Sequence, residues 1–290
     1  MQIVLCNEVI RQLDFAHQCA FARAVGYDGL EIAPFTLGAE PHLLPAARRA
    51  ELRRAAADAG IAITGLHYLL IVPEGLSITA RDAGGRGRTV DVMRRLCGLA
   101  HDLGARMLVH GSPAQRRLAP REEAEGRQWG AECFAAVADA AAAAGVTYCI
   151  EPLAAPEADF INTVAEAAAI VRAVGSPALR AMVDCSAAAR AEAQSIPELL
   201  RTWLPTGVLA HMHLNDPNRR GPGEGTLAFA PILRALSEGG YSGMAAVEPF
   251  VYEPDGPACA ARAIGYVRGL MEAQPSLSPL PLPAAERGPG

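Results

Sequence analysis

The chain has 290 residues, of which 51% are hydrophobic, 20% charged and 5% aromatic, and its formal net charge is −5 at pH 7. That balance excludes a disordered or fibrous protein, and the acidic charge speaks against a general nucleic-acid or anionic-membrane binder. All 26 basic residues are arginine, which excludes Schiff-base lysine chemistry and lysine-bearing phosphate loops. Cys6, Cys19, Cys97, Cys133, Cys149, Cys185 and Cys259 stand singly with no CxxC pair, as expected for a reduced, cytoplasmic setting. The first residues lack a secretory pattern, and no apolar run approaches the roughly 20 residues of a membrane helix.

Short apolar runs alternate with longer helical stretches along the chain. Gln2–Asn7 reads as a strand, followed by a helix over Asp14–Val25. The same alternation recurs in Gly29–Phe35 with Ala46–Ala59, Ile61–Tyr68 with Arg88–Leu103, and Arg106–Gly111 with Glu122–Ala144. It continues in Thr147–Leu153 with Thr163–Val174, and in Leu179–Ser186 with Ile196–Trp203. The last units are Leu209–Asn215 with Phe229–Glu238 and Met244–Phe250 with Ala258–Met271. Gly26, Gly60, Gly104, Gly145, Gly175 and Gly240 fall between helix and strand, where a helix end needs a left-handed residue. Eight β-then-α units predict an α/β protein, a (β/α)8 barrel forming one domain over residues 1–272. No GxGxxG follows the first strand, which speaks against a doubly wound sheet. The GGRGR segment (84–88) reads as a loop out of context for a nucleotide. Residues 273–290, rich in proline, read as a mobile tail.

Barrel sites lie at the C-terminal ends of the strands. Glu151 ends the fifth strand and Asp184 the sixth, His211 and His213 lie on the seventh, and Glu248 ends the eighth. These positions recur about one β/α unit apart, so they converge on one point from adjacent strands. A single strand-end carboxylate can cap a helix or pair with arginine. Four ionisable groups inside apolar strands are costly to bury without a metal or counter-ions. Glu151, Asp184, His213 and Glu248 offer three oxygens and one nitrogen, a set that suits Mn²⁺ best, with Mg²⁺, Co²⁺ or Zn²⁺ as alternatives. His211 faces the same side as His213 and reads as a packed or supporting histidine. Cys149 and Cys185 sit beside these positions, out of phase with them, and read as packed thiols. Glu31, ending the second strand, reads equally as a hydroxyl binder or a cap.

The segments YCIEPL, MVDCS, HMHLNDPNRRGPGEG and AAVEPF, taken together and in this order, resemble the sugar phosphate isomerase/epimerase superfamily. These are xylose isomerase-like barrels that include ketose 3-epimerases and hydroxypyruvate isomerase. The resemblance covers about Gln2 to Met271. It implies that Glu151, Asp184, His213 and Glu248 hold one divalent metal, with Glu151 and Glu248 also the catalytic acid/base pair. It further implies that Glu157 and Asn162 face the substrate and that Arg219 binds a substrate oxygen. His67 is a further pocket candidate. One departure stands out: ketose 3-epimerases usually carry a histidine three residues after the metal aspartate, and here that residue is Ala187. His110, ending the fourth strand, is a candidate replacement donor.

The implied reaction is proton transfer at a carbon next to a carbonyl, through an enediolate, on a small carbohydrate substrate. The alternative on the same metal is a lyase or dehydratase acting on a keto-sugar, keto-polyol or 3-keto-glycoside. A nuclease of the endonuclease IV type needs more histidines than this site offers, and a non-catalytic scaffold would not need all four ligands. No nucleic-acid or membrane partner is expected, and relatives imply a homo-oligomer, a dimer or tetramer. Arg116 and Arg117 read either as a solvated loop or as recognition of a phosphate or carboxylate. The loops 70–86 and 215–226 are expected to cover the site, with Asp216 and Asn218 anchoring the loop that carries Arg219.

Overall fold

The computed structural model describes residues 1–274. Eight parallel strands close into a barrel in sequence order, β1 through β8. They are β1 (Gln2–Cys6), β2 (Gly29–Ile32), β3 (Ala62–His67), β4 (Met107–His110), β5 (Thr147–Ile150), β6 (Leu179–Asp184), β7 (Leu209–Leu214) and β8 (Met244–Val247). The helices are α1 (Phe15–Val25), α2 (Ala46–Asp58), α3 (Ala83–Leu103), α4 (Glu123–Ala144), α5 (Val164–Val174), α6 (Cys185–Ala191), α7 (Ile196–Trp203), α8 (Phe229–Glu238) and α9 (Gly256–Glu272). The (β/α)8 expectation therefore holds. Most of the expected tail, from residue 275 on, lies outside the described residues. Among the described residues no helix is long and apolar enough to cross a membrane.

Each strand ends one to three residues before the end of its apolar run. The six glycines between helix and strand all adopt positive φ. At Gly104, for example, φ is 82°, and its N–H closes the end of α3 on Ala100 and His101. Two elements differ from expectation. The GGRGR segment is not a loop: it forms the first turns of α3, where the Asp82 carboxylate accepts from the N–H groups of Gly84 and Gly85. That cap offsets the poor helix propensity of three glycines. A short helix, α6, directly follows β6, and Asp184 caps it by accepting from Ala187 N at 2.6 Å. Its alanine-rich sequence lacks the spaced apolar pattern that marks the other helices.

Two cores result. The larger packs the outer faces of the strands against the helices. The smaller fills the barrel interior with Met107, Val109, Cys149 and Met182. Cys149 therefore faces inward, in phase with Glu151 two residues on. Its burial beneath the site makes it a packed thiol, with its pKa pushed up by burial.

Candidate metal centre

The alternation of each strand carries the inward-facing apolar layer up to a polar one. Beyond Cys149 and Met182 come Glu151 and Asp184. On β7 both His211 and His213 point inward. Asp184 pairs in register with His213, and His213 with Ala246, so Glu248, two residues past Ala246, rises on the same side. Ligand atoms of Glu151, Asp184, His213 and Glu248 all lie within 4.8 Å of one another. All four residues are buried. His213 Nδ1 lies 2.8 Å from Glu248 Oε2 and 3.3 Å from Glu151 Oε1.

The supporting groups are as well placed as the cluster. His213 Nε2 lies 2.9 Å from Glu31 Oε1, and His211 Nε2 lies 2.8 Å from Glu31 Oε2. Burial works to raise the Glu31 pKa, but His211 and His213 outweigh it and hold the carboxyl well below its usual range. An ionised carboxylate only accepts. Glu31 therefore holds the proton on His213 Nε2 and aims Nδ1 at the cluster. Asn215 Nδ2 donates to Asp184 Oδ2 at 2.6 Å and to the Glu248 carbonyl at 3.2 Å, while its Oδ1 accepts from Ser186 N at 2.8 Å. Burial, then the neighbouring Glu151 charge, pushes Asp184 up to about 6. Burial raises Glu248 to about 8, against the pull of His213.

The donors fit a divalent cation. His213 Nδ1 is buried without a well-formed hydrogen bond, an orphan that a cation among the carboxylates would satisfy. Three carboxylates and one imidazole form an oxygen-rich set suited to a hard or borderline metal.

A cavity of about 220 Å³ opens above this cluster, and Glu151, Asp184 and Glu248 line it. Its walls include Tyr68, Glu157, Arg190, Asn215, Arg219 and Phe250. Arg219 takes a left-handed φ of 67°, which a non-glycine residue holds only where its surroundings fix it. Here its carbonyl accepts from the N–H groups of Phe250 and Val251 at 2.8 and 2.9 Å. Its guanidinium stacks 4.7 Å from the Phe250 ring centroid. Arg190 reaches Glu157 Oε1 at 3.0 Å, and Arg219 approaches the same oxygen at 3.7 Å.

Not every candidate from the sequence faces this cavity. His67 is fully buried below it, with Nε2 2.8 Å from Glu8 Oε2 and 3.8 Å from Glu248 Oε1. Burial alone would lower its pKa, but Glu8, Glu31 and Glu248 raise it to about 9. His110 is also fully buried, with Nδ1 2.8 Å from the Tyr148 hydroxyl. Burial, then Arg116, drives its pKa down to about 3. The ring lies on the outer face of the barrel, against Tyr148 and against Phe134 of α4, so it does not replace the histidine missing at Ala187. Asn162 is absorbed in its own loop, donating to the carbonyls of Leu153 and Ala158 at 2.7 and 2.8 Å. Arg116 is buried rather than solvated, whereas Arg117 lines the cavity.

The 70–86 loop contributes no lining residue. It packs on the β4–α4 connection instead, Ile78 N donating to Gln115 O. The 215–226 loop is closely tied down. Asp216 Oδ2 accepts from Leu227 N and Asn218 Nδ2 donates to Glu224 O, as the anchoring role predicts.

Glu8, Asn215 and Arg190 were not singled out in the sequence. Asn215 carried a usable signal, since it is a polar residue directly at the end of β7. Arg190 carried none, because α6 itself was missed.

The family model described as a xylose isomerase-like TIM barrel matches residues 19–270. A stretch of 122 residues is 36% identical to the D-psicose 3-epimerase of Agrobacterium fabrum, spanning 42% of this chain and only 41% of that protein. A probable ketose 3-epimerase of Synechocystis sp. is 24% identical over 242 residues, 80% of this chain and 77% of that one. A crystal structure of D-psicose 3-epimerase in the presence of D-fructose superposes with a TM-score of 0.80 at 22% identity, covering 93% of this chain and 99% of that one.

Proposed function

The chain belongs to the xylose isomerase-like TIM barrel family, and from that premise we propose that it is a divalent-metal-dependent sugar epimerase acting at a carbon next to a ketone. The convergence of Glu151, Asp184, His213 and Glu248 at the floor of one cavity carries this reading. The names of the similar proteins, D-psicose and ketose 3-epimerases, support it. The elimination alternative has no support from these comparisons.

Glu151, Asp184, His213 and Glu248 would hold the cation, with Mn²⁺ the metal best matched to the set. When bound, it supplies Lewis-acid stabilisation of the charge that develops on the carbonyl oxygen. Glu151 and Glu248 are the outer members of an arc of four adjacent strands. A ketose carbon between them loses its proton to a carboxylate oxygen of one and regains one from the other on the opposite face. That inverts the carbon. Arg219, fixed by its backbone and by Phe250, holds a substrate oxygen. A cavity of about 220 Å³ falls below the range of drug-sized ligands and suits one sugar unit. We propose that residues 1–272 act as a single domain in the cytoplasm, as a homo-oligomer.

The test is metal content by mass spectrometry, for the wild type and Asp184→Ala, followed by ketose screening in D₂O. One divalent ion per chain, lost in the variant, with deuterium incorporated beside a carbonyl, is expected. A wild type that takes up no Mn²⁺ overturns the mechanism.

A further inference from the structure

The cavity is chemically two-ended. Its floor carries the carboxylates of Glu151, Asp184 and Glu248, whereas its walls carry the guanidinium groups of Arg117, Arg190 and Arg219. Among its lining residues a single further carboxylate, Glu157, faces those three cations. Glu157 is shared, with one oxygen 3.0 Å from Arg190 and 3.7 Å from Arg219. Arg117 is balanced from outside the cavity by Asp159 at 3.1 Å.

Each arginine is held at one end and accessible at the other. Arg190 Nε donates to the Ser186 carbonyl at 3.0 Å. Arg117 Nη1 donates to the Pro156 carbonyl at 2.7 Å. Arg219 rests on Phe250. Their side chains nevertheless remain 33%, 50% and 54% exposed, respectively. Ion pairs this exposed contribute little, and they yield to a ligand that brings its own oxyanion into the planar fork of a guanidinium. Arg190 sits one helical turn beyond Ala187, on the same face of α6. Ala187 is short and buried, so the charged group that α6 presents to the cavity is Arg190.

We propose that this arginine rim binds a carboxylate or phosphate at the end of the substrate remote from its carbonyl, so that the substrate class is an anionic keto-sugar. This rests on the epimerase reading for the floor of the site and adds the identity of the distal group.

The experiment is calorimetric titration of Mn²⁺-loaded protein with three probes: D-fructose, D-fructose 6-phosphate and D-fructuronate. The charged probe that fits should bind at least about tenfold tighter than D-fructose, and the two charged arms separate phosphate from carboxylate. Arg190→Gln should erase most of that ratio and leave D-fructose affinity within about twofold, and 0.5 M NaCl should shrink it by screening. Equal affinities overturn the proposal, as does undetectable binding of both charged probes or an equal loss of all three in Arg190→Gln. Binding is read without turnover, so missing deuterium exchange would sink the epimerase reading while the ratio still reports on the rim.

Discussion

Replacing Glu31 with glutamine keeps the side-chain volume but removes one charge and one acceptor from the barrel interior. Glu31 Oε1 stands 2.9 Å from His213 Nε2, and Oε2 stands 2.8 Å from His211 Nε2. The carboxylate accepts from His213 with one oxygen and sets the other, with its negative charge, beside His211. A glutamine offers one oxygen and one NH₂ group, so one of the two histidines must turn its Nε2 into an acceptor. If His213 does so, its proton moves to Nδ1 and blocks the atom aimed at the metal cluster. If His211 does so, His213 keeps its tautomer but loses a charge-assisted bond for a neutral one. Both routes weaken the site. Loss of a supporting carboxylate of this kind costs about 10- to 100-fold in metal affinity, or about 1.4–2.7 kcal/mol. The assay is calorimetric titration of metal-free protein with Mn²⁺ at fixed pH, alongside a thermal melt to confirm folding. A Glu31→Gln variant that folds and binds Mn²⁺ within twofold of wild type would refute the assignment of Glu31 as the group that orients His213.

Three further outcomes follow from the same geometry. A Cβ at Gly111 would overlap Glu151 Oε2, so Gly111→Ala should displace Glu151, destabilise the fold by about 1–3 kcal/mol and lower Mn²⁺ affinity about tenfold; an unchanged titration would contradict it. Asn215→Ala strands the Ser186 N–H and frees Asp184, so denaturant unfolding should show a loss of about 1–3 kcal/mol, with weaker metal binding. In metal-free protein, Glu248 is raised to about 8 and His67 to about 9, so the folded state holds protons that the unfolded chain releases. Glu248 contributes stability that is complete below about pH 4.5 and is lost as pH rises through 8. The His67 contribution is complete below about pH 6.5 and is lost through 9. The melting temperature of the metal-free protein should therefore fall between pH 6.5 and 9; a rise over that window would show the sign to be wrong.

The four cluster residues were legible because strand-end polar residues interrupt short apolar runs at a regular interval, and that interval is a property of the barrel. What was hidden depended on which way a side chain turns after its strand ends. His67 and His110 both end their strands, yet the His67 ring lies beneath the floor against Glu8 and the His110 ring turns to the outer face against Tyr148. Glu31 shows the converse. The short β2 (Gly29–Ile32) gives no period by which to judge its face, and its role depends on two histidines contributed by β7, on the far side of the barrel order. Asp184 could be read as a helix cap or as a ligand, and the structure makes it both. Its Oδ1 caps α6, and the helix carries Arg190 into the cavity. α6 escaped notice because its alanines give almost no amphipathic contrast, and Arg190 went with it.

The cluster is also internally balanced without a cation, and this constrains how one enters. Burial would strip the proton from His213, but the surrounding Glu248, Glu151 and Glu31 hold it on well above the usual histidine range. Glu248 retains its own proton to about pH 8. A divalent ion placed among these groups needs a bare Nδ1 on His213 and an ionised Glu248, so it must displace protons from the same atoms that would ligate it. Near neutral pH, uptake of one ion should therefore release at least about one proton to the buffer. Calorimetry in two buffers of different ionisation enthalpy reads that number directly. A metal that binds with no buffer dependence would mean that the protonated cluster is not its site, and that the four residues converge for a reason other than coordination.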